Sequence, residues 1–184
     1  MDVNFVAISP DAISPVIFEK VLGDKPGGGM VGNPTYDIAP GTAVGLNGSG
    51  VLTPIKAYRL TKAVAIADTT IEIAKGSGVA IGDVIGNLKK SVACTGLDQT
   101  NAIKDVVTVT LGVNITNGTV LFQAASAQAS TAAPIYTPKY LTRASVWAGK
   151  GDQAIALVNI ANVRKETVNA SLEVLALIPT INAV

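Results

Sequence analysis

The chain contains no histidine and a single cysteine, Cys94, among 184 residues. Without His, the commonest general base, the commonest metal ligand and the Ser-His and Cys-His nucleophile pairs are all missing. An enzyme built on this chain would have to run on carboxylates or lysine. One thiol closes no internal disulfide and builds no cysteine-rich zinc site, so the fold rests on packing. Charge of one sign is also lacking. With 14 Lys+Arg against 13 Asp+Glu, the net charge of +1 supplies no concentrated basic surface for nucleic acid or an anionic membrane. Mean hydropathy is high at +0.43, yet no apolar run approaches the roughly 20 residues of a membrane-spanning helix. The start, Met1-Asp-Val-Asn4, has neither a basic segment nor an apolar one ending at a small-residue cleavage site, which predicts no secretion signal.

What the chain does have is aliphatic bulk. Apolar residues make up 48% of it while aromatics contribute 4%, with one Trp and three Phe, so the hydrophobicity resides in Ala, Val, Ile and Leu. The length suits one domain, with or without an arm. Residues 23–50 hold nine of the 18 Gly and three of the nine Pro, a density of breakers that no regular helix survives. Ahead of them, Ser14 as N-cap, Pro15 at the first helical position and Gly23 at the far end predict a short helix over Ser14–Leu22. The first 50 residues carry five acids against two lysines. They read as an extended, acidic, Gly/Pro-rich N-terminal arm on a slightly basic body.

From residue 51 the texture changes to short Val/Ile/Thr runs bounded by Gly, Asp and Asn, the pattern of an all-β domain. Thr70-Ile-Glu-Ile-Ala74 alternates; Val79-Ala-Ile81 and Val84-Ile85 follow across Gly turns. Asp105–Leu111 places Val107, Val109 and Leu111 on one face, and Asn117-Gly118 is a two-residue hairpin signal leading into Thr119–Gln123; these two segments are expected to pair. Residues 124–133, AASAQASTAA, form a small-residue connector. Strands are predicted over Tyr140–Trp147, Ala154–Ile160 and Thr167–Leu175. The last competes with a helix, since Val168, Leu172 and Leu175 also fall at i, i+4 and i+7. The chain thus divides into an arm (1–50), a β domain of short strands (51–130) and a C-terminal β region (131–184). The aliphatic content exceeds what one small β core uses, and a core shared between subunits would absorb it.

Constellations that could carry chemistry are few. Gly27-Gly28-Gly29 lacks the Gly-Lys-Ser/Thr of a phosphate loop and reads as a linker. Asp68 and Asp83 stand in turn contexts where a short carboxylate caps its own backbone. Glu72 lies between Ile71 and Ile73 on a strand, facing away from them, so neither it nor Asp98 and Asp105 make a convincing acid–base pair. Lys89-Lys90 and Arg164-Lys165 are solvated doublets without stacking aromatics. Cys94 reads as a small buried residue. The sequons at Asn47, Asn114, Asn117 and Asn169 are chance matches in a Thr- and Asn-rich β protein. No catalytic, cofactor-binding or metal-binding residue is assigned.

Three blocks carry a resemblance. They are Pro54–Lys62 running into Asp68–Gly86, Lys150-Gly-Asp-Gln-Ala-Ile-Ala-Leu157, and Val163–Pro179. In them the chain resembles the head-fibre and head-decoration proteins of tailed bacteriophages, and the first block looks like a small β-clip module. The resemblance implies an all-β, sandwich-like body that forms a homotrimer on the outer surface of the virion. It would be made in the host cytoplasm and docked on the major capsid protein, with no cofactor, nucleic acid or membrane involved. On that view the arm would lie along capsid subunits, with Phe5, Ile8, Phe18 and Tyr36 filling grooves and three linked arms binding as a unit. Heptads and collagen-like repeats are absent, which favours a compact knob over a shaft. A non-viral shell or adhesin-like protein, or a carboxylate- or lysine-dependent enzyme on a β-clip fold, are the other readings.

Overall fold

Short β-branched runs cut by glycine turns cannot make long strands, and the computed structural model, which describes residues 16–184, contains none longer than seven residues. In chain order the strands are β1 (Phe18–Asp24), β2 (Gly29–Val31), β3 (Ala43–Leu46), β4 (Leu52–Pro54), β5 (Ala57–Arg59), β6 (Thr70–Ala74), β7 (Val84–Asn87), β8 (Lys90–Ala93), β9 (Gly96–Asp98) and β10 (Lys104–Thr108). After them come β11 (Val120–Gln123), β12 (Pro138–Thr142), β13 (Gln153–Ile155), β14 (Leu157–Val163), a one-turn helix α1 (Leu172–Leu175) and β15 (Ile181–Ala183). The protein is all-β, with that single short helix among the described residues.

The strands form three sheets. The largest runs β1-β14-β12-β3-β4-β2-β13, with β15 lying parallel to β14. The others are β6-β10-β9 and β5-β11-β7-β8. Three buried clusters follow this division. The first gathers Leu141, Val158, Val163, Val168, Val174 and Ile178 with Phe122. The second lies wholly within residues 58–121 and centres on Tyr58, Ile71, Ile73, Ile85, Val107 and Leu121. The third, around Val31, Ile38, Val44, Val146 and Leu157, closes the far end of the large sheet.

The boundaries expected from composition do not coincide with the sheets. Of the arm expected over 1–50, residues 18–46 supply β1, β2 and β3 to the largest sheet, and β4 (52–54) with the strands of 131–184 completes it. The two smaller sheets are an insertion between those halves. Glycine and proline mark turns here, not extension, because each short strand finds a partner distant in sequence. The helix expected over Ser14–Leu22 is likewise absent from Phe18 onward, where β1 pairs antiparallel with β14; Ser14 and Pro15 lie outside the described residues. Pairing to a seven-residue neighbour outweighs a weak local helix signal.

One expected pairing and several expected strands also differ. Asp105–Leu111 does not pair with Thr119–Gln123. Instead β10 lies between β6 and β9, and β11 between β5 and β7. Gly112 is the cause, since its φ of 66° is a left-handed conformation that ends an extended run. The chain then turns back so that Ile115 bridges Val64. Asn117-Gly118 does make a tight turn, closed by Thr119 N–H on the Thr116 carbonyl, but the segments it joins have other partners. Thr167–Leu175 is not a strand either. Val168 and Ala170 are buried in alternation, but Leu172 faces out and Ser171 Oγ accepts from Val174 N at 3.1 Å, capping α1. The N-cap hydrogen bond and burial of Val174 and Leu175 on successive positions decide in favour of a helical turn. Ala154–Ile160 splits at Ala156 into β13 and β14, Tyr140–Trp147 ends as a strand at Thr142, and Val79–Ile81 is irregular.

Candidate functional site

The densest polar constellation among the described residues converges on Asp83. Its place just before β7 is that of a turn carboxylate, and Oδ2 does accept from the Ala80 N–H three residues back, at 2.9 Å, as the sequence predicts. The fold then adds three partners, from β5, β11 and the link that precedes β5. Lys56 Nζ reaches Oδ2 at 2.8 Å, the Tyr58 hydroxyl donates to Oδ2 at 3.2 Å, and Gln123 Nε2 donates to Oδ1 at 3.2 Å. Lys56 also sits over the Tyr36 ring, 5.7 Å from its centroid. The carboxylate thereby ties β5, β7 and β11 to the Asn33–Asp37 loop of the large sheet. Beside it opens a groove of about 500 Å³ onto which Tyr36, Lys56, Gln123 and Tyr136 face.

Both Asp83 oxygens are engaged, and the nearest cation is their counter-ion. The cluster offers neither an unoccupied base nor an activated nucleophile; its chemistry is that of a staple. Burial, and secondarily the Asp83 charge, push the Tyr58 and Tyr36 hydroxyls above their ordinary pKa of 10. Both therefore stay protonated in the native state while the unfolded chain ionises. A group whose native pKa is raised stabilises fully below its unfolded pKa and loses that contribution as pH rises. Stability should accordingly fall above about pH 10, by roughly 1.4 kcal/mol per pH unit for each such tyrosine. Urea midpoints measured at pH 7 and pH 11 check this, with Tyr58→Phe expected to remove part of the alkaline loss.

The other sequence candidates resolve individually. Asp68 caps its own turn through the Ala65 N–H at 2.8 Å. Glu72 faces away from Ile71 and Ile73 and pairs with Lys104 across β6 and β10 at 2.6 Å, an ion pair that lowers its pKa. Asp105 is buried on the same face as Val107 and pairs with Lys75 at 2.5 Å. Cys94 is buried, and burial pushes its thiol pKa up, which is the opposite of an activated nucleophile. Of the groove-filling residues, Phe5 and Ile8 lie outside the described residues. Phe18 packs against the first core cluster, and Tyr36 is packed with its ring against Gly78 and its hydroxyl buried without a hydrogen-bond partner among the described residues. Nothing brings Phe18 and Tyr36 together on one surface. The Asp83 cluster was invisible to sequence reasoning because its members are separated by up to 87 positions; only the turn context of Asp83 was a signal.

Apolar side chains remain outside. On the β1–β14 pair, Leu22 is 58% and Ile160 38% exposed, and Leu172, Leu177 and Val184 elsewhere are about half exposed. β1 is an edge strand, and its pairing is interrupted by register shifts at Phe18/Lys20 and Val21/Gly23, a device that discourages indiscriminate strand addition. Among the described residues, no helix is long and apolar enough to cross a membrane. Among the described residues, no group of three or more His, Cys, Asp and Glu side chains is placed to hold a metal ion. Family models, curated proteins and solved structures give no match to the chain.

Proposed function

We propose that the chain is a structural virion protein that decorates the outside of a phage capsid, working through trimeric self-association and docking on the major capsid protein. The observation that carries this reading is the pairing of an all-β body with unburied aliphatic side chains, Leu22 and Ile160, on the β1–β14 pair at one edge of its largest sheet. Exposed apolar side chains at a sheet edge mark association surfaces. Residues 1–15 precede β1 in sequence. In this reading they supply the capsid contact, with Phe5 and Ile8 as anchors. Its resemblance to head-decoration proteins in the Pro54–Gly86 and Val163–Pro179 blocks supports the same assignment.

Light scattering across a concentration series should give a stable species at three times the 18.7 kDa chain mass. The double variant Leu22→Glu/Ile160→Glu is expected to shift that species to monomer while keeping the β circular dichroism signal. A second measurement is co-sedimentation with capsids assembled from the major capsid protein, expected for the full chain and lost when residues 1–15 are deleted. A strict monomer that leaves capsids in the supernatant overturns the proposal.

A further inference from the structure

The one tryptophan of the chain, Trp147, is 55% exposed, which is costly for the residue with the largest apolar ring system. The exposure is not that of a loose loop. Val146 is fully buried and exchanges two backbone hydrogen bonds with Ile38, at 2.8 and 3.0 Å. The amide of Gln153 grips both backbone groups of Trp147 itself, Oε1 accepting from its N–H at 3.1 Å and Nε2 donating to its carbonyl at 2.7 Å. Asp37 Oδ1 then accepts from the Ala148 N–H at 2.9 Å. The indole projects from backbone held on three successive residues.

It stands at the rim of a cavity of about 380 Å³ where the large sheet meets β5 and the turn after β6, within the size range of small-ligand sites. Ala57, Ala74 and Pro40 give that cavity an apolar wall. Ser77 also lines it, 9% exposed, with an Oγ that has no hydrogen-bond partner among the described residues. A buried hydroxyl without a partner is unusual and fits a site whose partner arrives with a ligand. Asn169 commits its Nδ2 to Thr42 Oγ1 at 2.7 Å, which leaves Oδ1 to accept, and Asp37 keeps Oδ2. The cations at the cavity are spent elsewhere. Lys75 Nζ binds Asp105 and the Gln99 carbonyl, and Arg59 donates to the carbonyls of Gly118 and Val168.

A rigid indole beside short acceptors and a buried hydroxyl suits a ligand with one apolar face and a rim of hydroxyls. The Asp37 carboxylate and the committed cations disfavour a phosphate or other anion. We infer that this cavity is a binding site for a neutral saccharide, one pyranose ring stacking on Trp147 with its hydroxyls on Ser77, Asn169 and Asp37. The inference stands independently of the capsid assignment.

Because Trp147 is the sole tryptophan, its emission reports the site directly. The purified full chain is titrated with maltotetraose, cellotetraose, N-acetylchitotriose and mannotriose, and with sialyllactose and a heparin tetrasaccharide as anionic probes. A saturable change in emission with at least one neutral probe is expected. By calorimetry, Trp147→Ala should then lose binding and Ser77→Ala should weaken it by about tenfold, a loss in keeping with one stacking or buried hydrogen-bond contact. Circular dichroism on both variants confirms that they fold. Absence of a saturable response to every neutral probe, a preference for the anionic ones, or undiminished binding by Trp147→Ala overturns the inference. So does an emission shift that follows protein concentration without sugar, which would show the indole covered by a second copy of the chain.

Discussion

Replacing Gly78 by alanine should lower the melting temperature by about 10 °C, for two reasons that add. Gly78 sits at φ +66°, and a Cβ built there would lie 2.2, 2.4 and 2.6 Å from Cγ, Cδ1 and Cδ2 of Tyr36. These are ring atoms close to the side-chain stem, not a flexible tip that can swing aside. The ring in turn has little room to move, because Lys56 lies over it and Asp83 holds Lys56. Overpacking of this kind costs about 1–3 kcal/mol, and the left-handed conformation adds about 1–2 kcal/mol for a residue with a Cβ. In a chain of this size each kcal/mol moves the midpoint by roughly 2–4 °C. Thermal unfolding followed by circular dichroism reads the effect. Adding Tyr36→Ala to Gly78→Ala should relieve the steric part, so the double variant should be less destabilised than the two single losses summed; simple additivity would show that Tyr36 is not the obstacle.

Removing the Asp83 carboxylate should be comparably severe. In Asp83→Ala, Lys56, whose side chain is 14% exposed, loses its counter-ion, and the Ala80 N–H, the Tyr58 hydroxyl and Gln123 Nε2 lose their acceptor. Breaking one side of a largely buried ion pair costs about 3–5 kcal/mol, chiefly because the remaining charge is left without compensation. Asp83→Asn should fall between wild type and Asp83→Ala, since it keeps the shape and one acceptor oxygen. The informative variant is Lys56→Met in the Asp83→Ala background. Deleting the orphaned charge should restore part of the lost stability, measured as the urea midpoint. If the second substitution only adds to the damage, Asp83 acts through its turn and not through Lys56. Either result bears on the fold as a whole, because this carboxylate is where the inserted sheet β5-β11-β7-β8 is fastened to the loop carrying Tyr36.

Local information in this chain is readable from adjacent residues, and distant information is not. The alternation of Thr70–Ala74 was legible because period two is a property of adjacent residues, and β6 buries Ile71 and Ile73 while Glu72 faces its ion-pair partner. The caps at Asp68 and Asp83 and the burial of Cys94 were legible for the same reason. The Ser171 cap was present in the sequence too, but a neat alternation from Val168 to Val174 hid it. The Trp147 cavity left no trace, since Asp37, Ser77, Trp147 and Asn169 come from four separate turns and loops.

Composition and short-range pattern therefore decided that the chain is all-β, that its strands are short, and that it carries no histidine to work with. Which strand lies beside which was decided only in three dimensions. A strand of three to five residues with a Val/Ile face fits many neighbours almost equally well. The choice among them is made by burial of that face against residues tens of positions away, as when β2 joins β13 across more than a hundred residues. The same long-range packing assembled Lys56, Tyr58, Asp83 and Gln123 into one polar cluster, set Tyr36 against Gly78, and left Trp147 on the rim of a cavity, because each of those placements depends on which sheets meet and not on any residue's immediate neighbours.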